Sequence, residues 1–176
     1  MSKKCVQQKI TEREQGAIDF ATQAHEGQKR KSGEPYIIHP LAVMNILREW
    51  GMDEDTVIAG VLHDTVEDTG VALDEIKEKF GETVAFLVDG VTKLGKARQG
   101  MRDIDTYLPA TKDNLLRLLI ATGADIRVLI IKLADRLHNL RTLSALPPEK
   151  QKKIGKESLE IFSPLADRLN MGRLRV

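Results

Sequence analysis

The sequence has few or none of several features, and each shortage excludes a class of protein. Its 176 residues include a single cysteine, Cys5, so an internal disulfide is impossible and a reducing compartment is favoured. No apolar run approaches the roughly 18 residues that a membrane-spanning helix needs. The basic start leads into polar residues and not into the apolar core of a signal peptide. We therefore expect a cytoplasmic protein with no membrane segment.

Aromatic residues and net charge are also scarce. Aromatics make up 4% of the chain against 41% hydrophobic residues overall, which favours helices packed by aliphatic side chains. The 27 basic residues nearly balance the 26 acidic ones, leaving a net charge of +1, so the composition does not indicate a nucleic-acid partner. The length suits one domain with a sizeable core. We assign it to residues 1–176, with residues 1–10 frayed.

The spacing of apolar residues predicts an all-α fold, and no strand is assigned. Thr11 and Glu14 form a capping box that begins the first helix, and Pro40 is predicted to begin the second, with His39 at its N-cap. Residues 97–109 show no regular period and predict a surface loop. The predicted helices cover residues 12–25, 40–50, 53–62, 73–80, 82–91, 111–123, 125–143, 149–162 and 165–169.

The third predicted helix ends in an unusual polar cluster. An apolar run over 58–62 leads directly into His63 and Asp64, and on a continuing helix these would lie above Glu67 and Asp68. Carboxylates at a helix C-terminus oppose the macrodipole, so stability alone does not explain them. A solvated helix end is one interpretation. The apolar run suggests burial instead, and buried charge must be paired or bound to metal.

Two further segments offer ligands for such a metal. His39 lies at the start of a helix, and Asp135 begins a narrow polar stripe with Asn139 and Thr142 on an otherwise apolar helix, which indicates that the stripe lines something. The candidate ligands are His39, His63, Asp64 and Asp135. A mixed nitrogen and oxygen set suits Mn²⁺, Fe²⁺ or Zn²⁺. We rank His138 below these, as a structural donor, and interpret His25 as structural or solvent-facing.

The segment over residues 27–36 combines glycine, proline and basic residues and predicts a loop. It is either a solvated basic loop or a clamp for an anion and a base. In the second case Arg30 supplies planar stacking and phosphate contacts, and Tyr36 supplies an aromatic face.

Four blocks, in order, carry a family resemblance. They are RKSGEPYIIHP at 30–40, LHDTVEDT at 62–69, VTKL at 91–94 and KLADRLHNLRT at 132–142. In these blocks the chain resembles the HD-superfamily hydrolase domain of the bifunctional RelA/SpoT enzymes of guanosine tetra- and pentaphosphate metabolism. The resemblance implies a compact all-α bundle of several helices. We do not expect the synthetase domain of the long family members within these residues, so the chain is either a stand-alone hydrolase or a fragment of a longer parent chain that carries that domain.

The resemblance also implies an activity and a site. The activity is a Mn²⁺-dependent 3′-pyrophosphohydrolase that converts guanosine tetra- or pentaphosphate to GDP or GTP and pyrophosphate. One Mn²⁺ is expected on His39, His63, Asp64 and Asp135, with Glu67 and Asp68 as the catalytic pair. The implied substrate-binding residues are Arg30, Lys31, Ser32, Tyr36, Asn139, Thr142 and Leu146. Alternatives are a phosphohydrolase for another nucleotide such as NADPH, or a nucleotide-sensing module without catalysis.

Overall fold

A computed structural model describes residues 9–104 and 125–169, and in these ranges the chain is helical. The predicted all-α fold is confirmed, and the only extended pairing in the described residues is an isolated bridge between Lys29 and Pro35. The helices are α1 (Glu12–Ala24), α2 (Ile38–Glu49), α3 (Glu54–Leu62), α4 (Thr65–Asp68), α5 (Leu73–Phe80), α6 (Glu82–Ile104), α7 (Ile126–Arg141), α8 (Pro148–Glu157) and α9 (Ser163–Arg168). The predictions for 1–8, 105–109 and 111–123 lie outside the described residues.

Helix α3 is the centre of the bundle. It packs against α1, α2, α6 and α7, and its residues 56–62 are all buried. A helix that is apolar on every side can only be stable when it is surrounded, which is why this segment becomes the core. Helices α2, α6 and α7 add Leu47, Leu87 and Ile131 to the same cluster. None of the helices in the described part of the chain is long and apolar enough to span a membrane.

Side chains cap the starts of α1 and α3, and the cap of α1 is the predicted one. The amide of Glu14 donates to Thr11 Oγ1 and the amide of Thr11 donates to Glu14 Oε2, which completes the capping box. Asp53 caps α3 by accepting from the amide of Thr56. These side chains satisfy helix amides that have no partner within the helix.

The start of α2 differs from the prediction. The helix begins at Ile38, with Ile37 at the N-cap, so His39 is the second helical residue and Pro40 the third. Proline is tolerated there because the first four amides of a helix have no intrahelical acceptor. His39 is therefore held within a regular turn and not at its edge.

The predicted end of a helix near residue 91 is wrong, because α6 continues to Ile104. The surface loop predicted for 97–109 is accordingly helical over residues 97–104. Gly95, just beyond the predicted end, lies inside the helix where Glu67 approaches. A Cβ at this position would lie 3.1 Å from Glu67 Oε2. The glycine allows close approach and does not end the helix.

The chain from α8 to α9 is also more continuous than predicted. A π-helical turn over Ser158–Phe162 joins the two helices. The helical path therefore continues through Ser163 and Pro164. Pro164 has no amide hydrogen to donate, and a widened turn is a common way for a helix to accommodate an interrupted hydrogen-bond ladder.

Candidate metal centre

The end of α3 presents a histidine whose second nitrogen has no hydrogen-bond partner. His63 is 1% exposed, and its Nδ1 donates to the carbonyl of Gly60 at 2.8 Å. Because a carbonyl only accepts, Nδ1 carries the hydrogen, and Nε2 is left with a lone pair. That atom lies 3.1 Å from Asp64 Oδ1 yet makes no hydrogen bond. Two acceptors that face each other in a buried site indicate a place for a cation.

The predicted end of the third helix at residue 62 is confirmed, and the helix does not continue unbroken through this motif. Helix α3 ends at Leu62, His63 and Asp64 form a turn, and the short α4 follows. Both turn residues keep right-handed helical backbone angles, and the amide of Asp68 still donates to the carbonyl of Asp64 at 2.8 Å. Asp64 and Asp68 therefore stay on one side, as predicted.

His39 and Asp135 come to the same point from α2 and α7. His39 Nε2 lies 3.3 Å from Asp135 Oδ1 and 3.6 Å from Asp64 Oδ2. His39, His63 and Asp135 each offer a ligand atom, and these atoms all lie within 4.8 Å of one another. The four predicted ligands thus converge although three separate segments of the chain supply them. Their donor set of imidazole and carboxylate suits a divalent metal ion.

His138 fixes the orientation of His39. Their Nδ1 atoms lie 2.8 Å apart, and Arg30 Nη1 lies 3.4 Å from the same His138 atom. Burial, together with the nearby His39 and Arg30, lowers the pKa of His138 to about 4, so at neutral pH its Nδ1 accepts. His39 then donates from Nδ1 and directs Nε2 toward the two carboxylates. An outer hydrogen bond of this kind fixes the tautomer of a ligating histidine.

Asp135 is surrounded by donors, one of which sequence reasoning missed. Its Oδ2 lies 3.2 Å from the ammonium of Lys132, which is buried, and its Oδ1 accepts from Asn139 at 2.5 Å. Burial works to raise the pKa of Asp135, but Lys132 and the hydrogen bond with His39 outweigh it and hold the pKa well below its ordinary value. The signal for Lys132 was a lone lysine in an apolar run, three residues before Asp135.

Asp64 is likewise kept ionised. Burial alone would raise its pKa, but a protonated His63 beside it outweighs burial and lowers the pKa of Asp64 well below the ordinary value. When the imidazole is neutral, a bound cation would take the place of that proton. Tyr36 adds a hydrogen bond from its hydroxyl to Asp64 Oδ2 at 2.7 Å. Burial, together with the carboxylates of Asp64 and Asp68, raises the pKa of Tyr36, so the phenol stays protonated and donates.

The predicted catalytic pair lies beside this cluster. Asp68 Oδ2 lies 3.0 Å from the Tyr36 hydroxyl, which therefore contacts both Asp68 and the candidate ligand Asp64. Glu67 lies against α6 at Gly95. The two side chains consequently point in different directions, that of Asp68 toward Tyr36 and that of Glu67 toward α6 at Gly95.

The predicted substrate-binding residues are only partly brought together. Arg30 Nη2 donates to Asn139 Oδ1 at 3.1 Å and lies 3.5 Å from Thr142 Oγ1, so the basic loop reaches the polar stripe of α7. Lys31 is exposed, and the nearby ammonium of Lys150 lowers its pKa.

Ser32 and Leu146 make only local contacts among those described. Ser32 donates to Glu34 at 3.2 Å. Leu146 is half-buried after a short 3₁₀ turn, and its carbonyl accepts from Gln151. His25, interpreted as structural or solvent-facing, is buried and stacks on Tyr36.

A helical bundle with paired histidine and aspartate side chains at its centre defines a class of protein, and comparison with known families agrees. The HD domain family matches residues 17–172, and the chain belongs to this family.

Particular relatives are also similar. The chain is 50% identical over 161 residues to guanosine-3′,5′-bis(diphosphate) 3′-pyrophosphohydrolase of Aquifex aeolicus, an alignment that covers 92% of this chain and 22% of that protein. It is 51% identical over 159 residues to GTP pyrophosphokinase of Streptomyces coelicolor, covering 90% of this chain and 18% of the relative. The chain therefore spans about a fifth of the length of these relatives, whose names describe two different activities.

A solved structure has the same fold. It is described as a metazoan ortholog of SpoT that hydrolyses ppGpp, and it aligns with a TM-score of 0.62 at 29% sequence identity. The alignment covers 83% of this chain and 81% of that structure, so the likeness extends over most of both chains.

Proposed function

We propose that this chain is a metal-dependent guanosine-3′,5′-bis(diphosphate) 3′-pyrophosphohydrolase, which converts guanosine tetra- or pentaphosphate to GDP or GTP and pyrophosphate. The observation that carries the proposal is the convergence of His39, His63, Asp64 and Asp135 around the unpartnered Nε2 of His63. The name of the Aquifex relative and the description of the metazoan structure supply the substrate.

The four ligands would hold one Mn²⁺. Two imidazoles favour a transition metal over Mg²⁺, and two carboxylates favour a harder ion than a thiolate site would select. When bound, the ion would lower the pKa of water or polarise a phosphoryl oxygen.

Glu67 and Asp68 would handle protons during hydrolysis. Water adds to the phosphorus next to the ribose 3′ oxygen, the bond from that phosphorus to the 3′ oxygen breaks, and pyrophosphate leaves. One proton must leave the attacking water and one must reach the 3′ oxygen. Asp68, whose Oδ2 lies 3.0 Å from the Tyr36 hydroxyl that also contacts Asp64, and the adjacent Glu67 supply carboxylates outside the ligand set, which suits them to this exchange.

The basic loop and the α7 stripe would bind the nucleotide. Arg30 already reaches Asn139 and Thr142, and its guanidinium can stack on a base or pair with phosphate. Lys31, Ser32, Tyr36 and Leu146 complete the proposed binding set. Substrate entry would require Arg30 to exchange its contacts with α7 for contacts with the nucleotide.

The setting of this activity is also proposed. Because the chain corresponds to about a fifth of its relatives, we propose that residues 1–176 form one hydrolase domain that can be joined to a synthetase domain in a longer protein. We further propose a cytoplasmic location and a small nucleotide, not a nucleic acid, as the binding partner.

The test is turnover of guanosine tetraphosphate by the purified chain with Mn²⁺, followed as pyrophosphate and GDP. We expect turnover that ceases on chelation. Asp64→Asn and Glu67→Gln should each lower kcat by a factor of about 10² or more, and only Asp64→Asn should also weaken Mn²⁺ binding. Turnover of NADPH but not of guanosine tetraphosphate would show that NADPH is the substrate. Tight binding of guanosine tetraphosphate without turnover would favour a sensing module.

A further inference from the structure

The loop between α1 and α2 is closed by its own backbone. The amide of Tyr36 donates to the carbonyl of Gln28 at 3.0 Å, and the amide of Arg30 donates to the carbonyl of Glu34 at 2.9 Å. Gly33 makes the turn with a φ of 90°, a conformation that favours glycine. This closure places Gln28 beside Tyr36, although eight positions separate them in the chain.

Tyr36 is held from behind by His25. The two rings stack with centroids 4.5 Å apart and an interplanar angle of 23°. On its other side the Tyr36 hydroxyl contacts Asp64 and Asp68. The stack therefore sets where the hydroxyl can lie relative to the two carboxylates.

Gln28 connects His25 to the backbone of Asp68. Its Nε2 donates to the Asp68 carbonyl at 3.0 Å, which directs Oε1 toward His25 Nδ1 at 2.9 Å. Both carbonyl oxygens can only accept, so the amide orientation and the hydrogen on Nδ1 are mutually required. The result is a continuous set of contacts from His25 through Gln28 to Asp68.

The stability of the fold does not explain why a histidine stands at position 25. His25 is 3% exposed and its Nε2 has no hydrogen-bond partner, and an unsatisfied buried polar atom is destabilising. A phenylalanine would stack on Tyr36 without that cost. What the imidazole adds is the Nδ1 hydrogen that orients Gln28.

Helix α4 needs such support because it is only four residues long. A single helical turn is not stable by itself, and the carbonyls at its end have no intrahelical donor. The Gln28 amide supplies a donor at the Asp68 carbonyl, while Tyr36 holds the Asp68 side chain.

We propose that His25 and Gln28 are positioning residues of the hydrolysis reaction, which together with Tyr36 hold Asp68 at a set distance from Asp64. This inference rests on the proposed function, because it assumes that Asp68 handles a proton. Neither His25 nor Gln28 need touch the substrate.

The test uses Gln28→Met, which keeps side-chain length but removes both polar contacts, and His25→Phe, which keeps the stack but removes the Nδ1 donor. Each should lower kcat about tenfold with KM nearly unchanged. His25→Phe should keep or raise the melting temperature while doing so. The loss of kcat in the double variant should be smaller than the product of the two single losses, because both residues act on one chain of contacts.

The matched control is Gln15→Met, which removes a glutamine hydrogen bond to Asp19 on the outer face of α1 and should leave kcat unchanged.

A second readout does not depend on activity. Amide hydrogen exchange at Asp68 and Thr69 should be about tenfold faster in Gln28→Met and His25→Phe than in the unchanged protein and in Gln15→Met. Unchanged exchange with unchanged kcat overturns the proposal, and so does a rise in KM alone. If the unchanged protein turns over no guanosine tetraphosphate but exchange is faster in both variants, the proposed function fails while the support of α4 stands.

Discussion

At the scale of single residues, buried charges in the part of the chain that the structure describes are matched by specific partners. The carboxylate of Asp135 meets Lys132, Asn139 and His39, and the guanidinium of Arg136 pairs with Glu157 at 3.0 Å. Such pairing is required because an uncompensated buried charge costs several kcal/mol. Nε2 of a neutral His63 differs from these groups, since the carboxylate oxygen of Asp64 that lies 3.1 Å away is another acceptor.

Asp125 shows how one carboxylate stabilises a helix start. It accepts from the amide of Arg127 at 2.9 Å and from the guanidinium of the same residue, and these interactions with Arg127 lower the pKa of Asp125 below its ordinary value. A pKa that is lower in the folded state means that the charge stabilises the fold above the unfolded pKa of about 3.9. This contribution is lost as the pH falls through the folded pKa.

We therefore predict that Asp125→Asn lowers the free energy of unfolding by about 0.5–1 kcal/mol at pH 7. Asparagine keeps the cap but not the charge. The difference between the two proteins should shrink toward zero as the pH falls well below 3.9. Urea unfolding at several pH values measures it, and a difference that does not change with pH would contradict the assignment.

At the scale of helices, close contacts at glycine set the spacing of the bundle. A Cβ on Gly90 of α6 would lie 2.8 Å from Val128 Cγ2 on α7, and the β-branched Val128 is buried and has little freedom to turn away. Gly60 of α3 approaches the buried Leu47 of α2 in the same way. These contacts hold together the helices that carry the candidate ligands.

Gly90→Ala should accordingly destabilise the protein by about 1–3 kcal/mol. Gly155→Ala is the matched control. A Cβ at this position meets nothing within 4 Å, and the backbone of Gly155 does not have a positive φ. This substitution should instead stabilise α8 by about 0.5–1 kcal/mol. Thermal or urea unfolding of both variants measures these changes in stability. A Gly90→Ala protein as stable as the control would show that α6 and α7 can move apart freely.

Sequence reasoning was accurate for elements whose ends are marked by local chemistry. The capping box at Thr11 and the range of α5 need only neighbouring residues, and both are as predicted. The predicted end of α6 was wrong because a glycine such as Gly95 is compatible both with a helix end and with the close approach of another segment. Only the position of Glu67, on a separate helix, distinguishes them.

At the scale of the whole molecule, the fold converts separate sequence blocks into one centre. His39 lies on α2, His63 and Asp64 follow the end of α3, and Asp135 lies on α7. These three helices pack on one another. Binding of a cation to such a centre favours the folded state, because the unfolded chain does not hold the ligands together.

The melting temperature should therefore rise when Mn²⁺ is added. At a concentration 100 times the dissociation constant the stabilisation is about 2.7 kcal/mol, which corresponds to roughly 5–10 °C for a chain of this size. Asp135→Asn, which preserves shape, should lose most of this rise, and Mg²⁺ should produce less of it than Mn²⁺. An equal rise in the variant would mean that the ion binds elsewhere.

By itself the sequence determined the helical class, most helix starts and the residue types of the candidate site. These depend on periodicity and capping, which act over a few residues. Only the tertiary structure decided that Lys132 and His138 support the centre, that Tyr36 spans Asp64 and Asp68, and that His25 and Gln28 lie behind it. Apart from the contact of Lys132 with Asp135 within α7, those contacts join segments far apart in the chain, and only the packing of α1, α2 and α7 around α3 brings them within hydrogen-bonding distance.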